Sequence, residues 1–277
     1  MRNLCLLLLI AVFASPSVWS ANSVTAETQA AKKKWRLNFS GSHMPKLRDD
    51  QEDLSFISGI GDYFLNDRHR FRISQTVTKL YSKYSSEYEF QPLNTRLFHY
   101  YNIKQKWNDL SFIWRSDLAL PISDLADRTD LVTSFTGMLF INGLNFFDKR
   151  LILSFRPFGR YNWHEFKTTA GGDTLPRATL GAVAIAVVPA TERLSVIASG
   201  AYTVDYMENS QFDPNNIQRE QGLYSVSLTV DYGFLENYSA FLSYSNGPAN
   251  YIVNGRYEVA FYDPLSSRFS LGLAAIF

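Results

Sequence analysis

Ionisable residues recur at every second position in several apolar segments, which places them on one face of an extended chain. The clearest example is the segment LILSFRPFGRYNWH (151–164), in which Arg156, Arg160 and His164 alternate with aliphatic and aromatic residues. A period of two is the pattern of a β-strand with one apolar and one polar face. The same parity assigns these residues to polar strand faces: Arg36, Arg115, Asp117, Arg156, Arg160, His164, Asp205 and Asp231.

These side chains are suited to binding charged groups. The planar guanidinium fork of arginine matches carboxylate and phosphate, and an arginine that lines a water-filled passage attracts anions. Alternatively, the arginines pair with the aspartates of the same set and fill a closed interior. The sequence therefore predicts a set of inward-facing charges and leaves both interpretations open.

The N-terminus has the layout of a secretory signal peptide. Arg2 precedes an apolar run from Leu4 to Phe13, and small residues follow up to a cleavage position before Ala21. That run is too short for a membrane-spanning helix. We predict a signal peptide over 1–20, a flexible periplasmic tail over 21–33 and one folded unit over 34–277.

Composition narrows the class of function. The only cysteine, Cys5, lies in the predicted signal peptide, so the mature chain has no thiol for a disulfide or for thiolate chemistry. The formal net charge of +1 gives no strongly basic surface, and we predict no nucleic-acid partner. The 21 Phe and 16 Tyr fit either the aromatic girdles of a membrane barrel or a secreted β-sandwich, so composition does not separate these two folds.

Alternating segments fill most of the chain, and the links between them differ in length. Short links lie at 65–69, 104–109, 145–150, 189–193 and 234–237, and longer polar links lie between them. Short turns on one side and long loops on the other are typical of outer-membrane β-barrels. We predict an all-β, closed antiparallel transmembrane barrel of about twelve strands with both termini periplasmic. Because a thirteenth strand would move the C-terminus to the other side, we interpret 256–263 as a ribbon within the last loop or as an extension of the last hairpin.

The chain ends on an alternating strand, RFSLGLAAIF, whose last residue is aromatic. Its apolar face consists of Phe269, Leu271, Leu273, Ala275 and Phe277. This strand resembles the assembly signal of bacterial outer-membrane β-barrels, which implies insertion by the barrel-assembly machinery. Because lipid leaves no backbone group unpaired and a closed barrel has no free edge, we expect this strand to pair with the first strand, WRLNFSGS, and Phe277 to face lipid at their seam.

Other motifs give weaker indications of chemistry. SYSNGPAN (243–250) contains the Ser-Asn-Gly triplet of outer-membrane phospholipases, but Ser243 stands where those enzymes have a histidine base. Without a base the Ser245 hydroxyl is not activated, and we predict no enzymatic activity. The histidines have no metal-ligand spacing, so neither a metal nor another cofactor is predicted. The acidic run at 49–53 is either solvated or a site for cations that bridge lipopolysaccharide.

Two functions of different kinds fit these observations. The first is a passive, narrow channel for small solutes in the bacterial outer membrane, with an anion preference set by Arg115, Arg156 and Arg160. The second is a closed barrel whose long loops bind a surface ligand or partner. Outer-membrane lipid, lipopolysaccharide, the assembly machinery and, for an open lumen, small solutes are the expected partners.

Overall fold

The structure, a computed structural model, describes residues 34–45, 54–81, 90–107, 110–123, 126–127, 129–146, 151–166, 175–207, 220–249, 252–253, 256–257 and 267–277. The predicted signal peptide, tail and acidic run lie outside these residues. The strands are β1 (Trp35–Met44), β2 (Leu54–Phe64), β3 (His69–Leu80), β4 (Phe90–Pro92), β5 (Thr95–Trp107), β6 (Leu110–Leu120), β7 (Leu131–Phe146), β8 (Leu151–His164), β9 (Pro176–Pro189), β10 (Leu194–Met207), β11 (Glu220–Leu235), β12 (Tyr238–Ala249), β13 (Ile252–Val253), β14 (Arg256–Tyr257) and β15 (Arg268–Ile276).

The wall is a closed antiparallel barrel of twelve strands, as predicted. The wall consists of β1–β3, β5–β12 and β15. Each of these pairs with the next in this order, and the ring closes where β1 pairs with β15. At this seam Asn38 is opposite Ile276 and His43 is opposite Leu271. The backbones of Leu37 and Phe277 exchange hydrogen bonds of 3.0 and 2.8 Å, so the last residue is paired. The predicted pairing of the first and last strands is confirmed, and both described chain ends lie at one end of the barrel.

The links between wall strands follow the predicted alternation. The short turns at 65–68, 190–193 and 236–237 lie at the end that holds the termini, and the strand ends on either side of 108–109 and of 147–150 lie at the same end. The other end carries the long links, and we call the two ends the short-turn end and the long-loop end. Strand β4 pairs with β3 at Val77–Lys79, beyond the pairing of β3 with β5, whereas β13 and β14 pair with each other in a separate ribbon. Of the stretch interpreted as a ribbon, 256–257 form one strand of this pair, and 258–263 lie outside the described residues.

Local side-chain hydrogen bonds close two of the short turns. The Asn66 side-chain oxygen accepts from the backbone N–H groups of Arg68 and His69, both at 2.9 Å. The Thr191 hydroxyl accepts from the backbone N–H groups of Arg193 and Leu194 at 3.2 and 3.0 Å. Short polar side chains that bond to the backbone two or three residues on favour turns over strands. These turns end each strand at a defined residue and thereby fix the register of the hairpin.

The outer face of the wall is apolar and the inner face is polar. Ile57, Leu271 and Leu273 are more than 60% exposed although they lie within strands, while their neighbours in sequence face inward. Within the described residues, no helix is long and apolar enough to cross a membrane. A continuous apolar outer face of this kind needs a lipid environment, because water would not stabilise it.

Aromatic pairs lie on the outer face near both ends of the barrel. At the short-turn end the rings of Trp35 and Tyr63 lie 4.5 Å apart. At the long-loop end the rings of Tyr161 and Trp163 lie 4.7 Å apart, and Tyr244 and Phe269 lie 5.1 Å apart. Rings at these two levels match the interfacial girdles that flank the lipid-facing band of membrane barrels.

Candidate functional site: the lumen wall

The inner face of the described strands carries more cationic than anionic side chains. Strand alternation places eight arginines inside: Arg36, Arg70, Arg72, Arg96, Arg115, Arg156, Arg160 and Arg268. The inward aspartates are Asp62, Asp117, Asp205 and Asp231. All these residues come from the polar faces of alternating segments, and several of them contact one another through the pairing of neighbouring strands.

Asp62 is the centre of the largest charged cluster. Its carboxylate is fully buried and accepts a hydrogen bond of 2.9 Å from the Arg36 guanidinium on β1. Arg72 on β3 donates to the same carboxylate at 2.7 Å, and the Arg70 guanidinium lies 3.9 Å away. A single carboxylate therefore lies within 4 Å of three guanidinium groups.

Asp117 on β6 is the centre of a second cluster. The guanidinium of Arg96 on β5 lies 2.5 Å from one carboxylate oxygen, and that of Arg115 lies 3.0 Å from the other. The side chain of Arg96 is 26% exposed and that of Arg115 is 16% exposed. These arginines bind a buried carboxylate and still retain surface that faces the lumen.

Three other charges of the predicted set lie in different surroundings. Arg160 donates to the Thr179 hydroxyl at 3.0 Å, and that hydroxyl donates to Asp205 at 2.5 Å, so a threonine joins the two charges. The Asp231 carboxylate accepts a hydrogen bond from the Ser239 hydroxyl on the neighbouring strand. Of the predicted aspartates, these two therefore contact hydroxyl groups, whereas Asp117 contacts arginines directly.

Arg156 and His164 have contacts within the wall and at its rim. Arg156 donates to the Ser154 hydroxyl at 2.9 Å, and its guanidinium lies 4.5 Å from the centre of the Phe140 ring. His164 lies at the long-loop end, where its ring nitrogens are 2.9 and 3.3 Å from the carbonyl oxygens of Thr129 and Pro176. The position of His164 is therefore that of a rim residue that joins two loop segments.

Many of these side chains follow one continuous row of cross-strand partners. In order across the wall, the row is Arg36, Asp62, Arg72, Phe98, Asp117, Thr136, Arg160, Thr179 and Asp205. Strands of a closed barrel tilt by roughly 40° to its axis, so a row perpendicular to the strands rises along the axis. This row starts near the short-turn end of β1 and finishes near the long-loop end of β10. We call it the charged row.

Aromatic rings hold the guanidinium groups on this side of the lumen. Arg70 lies 4.1 Å from the centre of the Tyr100 ring, and Arg115 lies over Phe98 and Phe140 at 5.4 and 5.6 Å. Tyr100 and Phe140 are buried together with Met138. Cation–ring contacts and close packing restrict the conformations of these arginines. We call the inward faces of β2, β3 and β5–β8 the charged wall.

The opposite side of the lumen is lined by short hydroxyl side chains. On β10–β12 and β15 the inward residues include Ser195, Ser199, Thr203, Ser225, Ser227, Thr229, Ser239, Ser243, Ser245 and Ser270. Hydroxyl pairs connect the strands, with Ser199 at 2.7 Å from Ser227 and Thr229 at 2.8 Å from Ser243. Ser227, Thr229 and Ser243 are only half-buried although they point inward. Ser195, Thr203, Ser239 and Ser270 of the same set are buried. We call these faces the hydroxyl wall.

Sequence analysis missed several of the inward charges. Arg70 and Arg72 alternate with Phe71 and Ile73 in HRFRIS, so the parity that identified Arg156 and Arg160 would also have found them. Asp62 lies in GIGDYF, where Gly59 and Gly61 occupy positions of the outward face. Because glycine has no apolar side chain, the alternation that would mark Asp62 as inward is harder to recognise. No pattern in the sequence shows that Asp62 contacts arginines from two other strands, because that contact depends on register.

Two of the four histidines come together on the outer face. His69 Nδ1 lies 3.0 Å from His99 Nε2, and their rings stack at 5.2 Å. Within the described ranges, no three His, Cys, Asp or Glu side chains are grouped so that they could hold a metal ion. The lumen wall is therefore the site that the geometry supports best.

Comparison with known proteins identifies the fold. No protein-family model matches the chain, and no curated protein matches it in sequence. The NanC porin superposes with a TM-score of 0.55 at 10% identity, over 86% of this chain and 98% of that one. An outer membrane channel from Pseudomonas putida F1 superposes with a TM-score of 0.53 at 9% identity, over 88% and 94% of the two chains. The fold is that of bacterial outer-membrane β-barrels.

Proposed function

We propose that this protein is a passive channel for small solutes in the outer membrane of a Gram-negative bacterium, with a preference for anions. The long loops would face the outside of the cell and both termini the periplasm. The apolar outer face, the aromatic girdles and the fold shared with a porin and an outer membrane channel support this location. Transport through such a lumen needs neither a cofactor nor an energy source.

The main observation in favour of an open lumen is the partial exposure of residues that point into it. Ser227, Thr229 and Ser243 on the hydroxyl wall are half-buried, and Arg96 on the charged wall keeps 26% of its side chain exposed. Inward side chains of a barrel filled by packing would lose this surface, as Tyr100 and Phe140 do. The solute path therefore runs between the two walls.

The preference for anions is inferred from the balance of charge along the charged row. Asp62 is surrounded by three guanidinium groups and Asp117 by two. The excess of arginines over aspartates on the inner face of the described strands, in a narrow space with walls of low dielectric constant, would raise the local concentration of anions and lower that of cations. Anions would move past Arg115, Arg156 and Arg160 towards either end.

Planar-bilayer recording of the folded mature protein tests this function. We expect discrete current steps and a reversal potential in a salt gradient that indicates anion selectivity. Arg156→Gln should reduce the anion-to-cation permeability ratio about twofold, because it removes one inward charge from a narrow pore. Arg177→Gln is the matched control, since Arg177 contacts the Tyr161 hydroxyl on the outer face.

The closed barrel predicts the opposite result. The buried cluster of Tyr100, Met138 and Phe140 already fills part of the lumen, which favours that alternative at one level of the barrel. A silent bilayer from protein whose fold is verified by circular dichroism would refute the open channel. Equal selectivity of the wild type and Arg156→Gln would refute the role of the arginines while leaving the pore itself intact.

A further inference from the structure

Strand β9 lies between the two walls of the lumen, and its inner face is apolar over most of its length. After Thr179 the segment LGAVAIAVV (180–188) carries no polar side chain on either face. Its inward residues are Gly181, Val183, Ile185 and Val187. The interior of an outer-membrane barrel is usually polar, whereas its lipid-facing side is apolar. Contact with lipid therefore explains only one of the two apolar faces of β9.

Apolar side chains on the neighbouring strands continue this inner face. Cross-strand pairing places Phe158 on β8 opposite Gly181, and Ala201 on β10 opposite Val183. We give the name apolar strip to five inward residues that are all half-buried: Phe158, Val183, Ile185, Ile197 and Ala201. The apolar strip thus crosses three adjacent strands from the edge of the charged wall to the edge of the hydroxyl wall.

The ring of Phe158 lies along the barrel wall over Gly181. A Cβ added at Gly181 would come within 2.8 Å of the ring carbon Cζ and within 2.7 Å of Thr203 Cγ2. The absence of a side chain at Gly181 therefore lets the ring lie close against β9. Phe158 also packs against the buried cluster that contains Phe140. The apolar strip is consequently continuous with a larger apolar surface inside the barrel.

Arginine side chains border the apolar strip on the side of the charged wall. Arg160 lies two residues from Phe158 on the same face of β8, which corresponds to about 7 Å along the strand. Arg160 donates to the Thr179 hydroxyl at 3.0 Å, and no carboxylate among the described residues forms an ion pair with it. Arg156 is the cross-strand partner of Val183. An anionic group that passes Arg160 towards the short-turn end therefore meets apolar side chains on β9.

Two kinds of anion respond differently to such a surface. A hydroxylated anion loses water at the apolar strip without gaining hydrogen bonds there, which raises its free energy. An anion with an alkyl or aryl body instead buries apolar surface against the strip, which is favourable. The arginines attract both kinds of anion, because attraction at a distance depends on charge. The strip can therefore discriminate between anions of equal charge.

We propose that the preferred solutes of this channel are small carboxylates with an alkyl or aryl body. The carboxylate group passes beside Arg160, and the apolar body of the solute lies on the apolar strip. This inference rests on the proposed function, because it requires an open lumen that attracts anions. It assigns the choice among those anions to β9 and its two neighbouring strands.

Bilayer recording with two carboxylates of equal chain length tests the solute class. Hexanoate and gluconate carry the same charge on the same number of carbon atoms, but gluconate has a hydroxyl group on each carbon outside its carboxylate. Reversal potentials with chloride on one side and either carboxylate on the other give the two relative permeabilities. After correction for mobility in water, we expect the permeability of hexanoate to exceed that of gluconate about threefold.

Val183→Thr tests the apolar strip, because it keeps the shape of the side chain and replaces one methyl group with a hydroxyl. We expect it to lower the hexanoate-to-gluconate permeability ratio about twofold. Val188→Thr makes the same change on the outer face of β9, where Val188 is 41% exposed, and should leave the ratio unchanged. Ile197→Thr provides a second variant of the strip if Val183→Thr does not fold.

The outcomes separate this inference from the proposed function. A conducting channel that passes gluconate as readily as hexanoate would overturn the solute class and leave the channel intact. Equal ratios in the wild type, Val183→Thr and Ile197→Thr would show that the apolar strip does not select the solute. A silent bilayer in potassium chloride would refute the channel itself, and the solute class would fall with it.

Discussion

The two walls of the lumen differ in side-chain size and charge. The charged wall carries buried clusters in which Asp62 is fully buried and Phe140 is 2% exposed. The hydroxyl wall carries serines and threonines such as Ser227 and Thr229, which remain half-buried. The first wall fixes charges in place, and the second has short side chains. Under the proposed function, the charges would set selectivity and the short side chains would border the solute path.

The clustering of charges makes the stability of the charged wall depend on its few carboxylates. Several arginines share few carboxylates, so each carboxylate must satisfy more than one guanidinium group. Removing one carboxylate leaves buried cations without compensation, which destabilises a protein more than the loss of a neutral hydrogen bond does. The hydroxyl wall has no comparable concentration of charge among its described residues. Substitutions on the two walls should consequently have unequal effects.

The largest effect is expected for Asp62→Asn. This change keeps the shape of the side chain but leaves Arg36, Arg70 and Arg72 around a neutral amide. We expect the free energy of unfolding to fall by about 3 kcal/mol, measured by urea titration of the protein in lipid vesicles. Asp231→Asn is the matched control on the hydroxyl wall and should cost about 1 kcal/mol. Equal losses would contradict the assigned difference between the walls.

An intermediate effect is expected at Gly272 in the seam strand. Phe241 is a bulky residue on the hydroxyl wall, and its ring lies against Gly272. A Cβ added there would come within 2.6 Å of that ring and of the Gly41 carbonyl oxygen. Gly272→Ala should therefore cost about 2 kcal/mol and push the ring into the lumen, which would also lower conductance.

Gly200→Ala is the control for this change. The nearest atom to a Cβ at Gly200 is the Ser225 carbonyl oxygen at 3.9 Å, so the methyl group fits. Urea titration should show almost no loss for Gly200→Ala. If both alanine variants unfold like the wild type, then the absence of a side chain at Gly272 is not what allows the Phe241 ring to lie close against the wall.

The smallest effect is expected for Ser227→Trp, which tests where the open space lies. A bulky ring on the hydroxyl wall should narrow the path and reduce single-channel conductance to about half. Leu228→Trp places the same ring on the next residue, whose side chain is 47% exposed on the outer face, and should leave conductance unchanged. Equal conductance in both variants would place the solute path elsewhere.

Much of the fold could be predicted because local patterns are sufficient to define it. Alternation in LSFIWRSDLAL separates Trp114 and Leu118, which are exposed, from the inward Arg115 and Asp117. The same pattern in the last ten residues, together with the need to pair every edge in lipid, predicted the seam with β1. These inferences use the period of a strand and the lengths of links, and neither depends on distant residues.

Partners within the lumen could not be predicted in the same way. One of the two interpretations of the sequence paired Arg160 with an aspartate, but Thr179 lies between Arg160 and Asp205. The residues that surround Asp62 come from β1 and β3, and only Arg36 among them was identified from the sequence. A shift of register by two residues would keep every side chain on its face and change every one of these contacts.

The sequence alone determined the strands, the turns, the two faces and the closure of the barrel, because backbone geometry and the avoidance of unpaired edges are properties of each segment. The tertiary structure alone decided which charges meet, how the charged row rises along the axis and which inward side chains are buried or half-buried. The physical reason is that these features depend on the register and tilt of all twelve strands together. Alternation along a strand shows that a side chain faces the lumen. The side chains that it contacts there follow only from the register of the strands in the closed barrel.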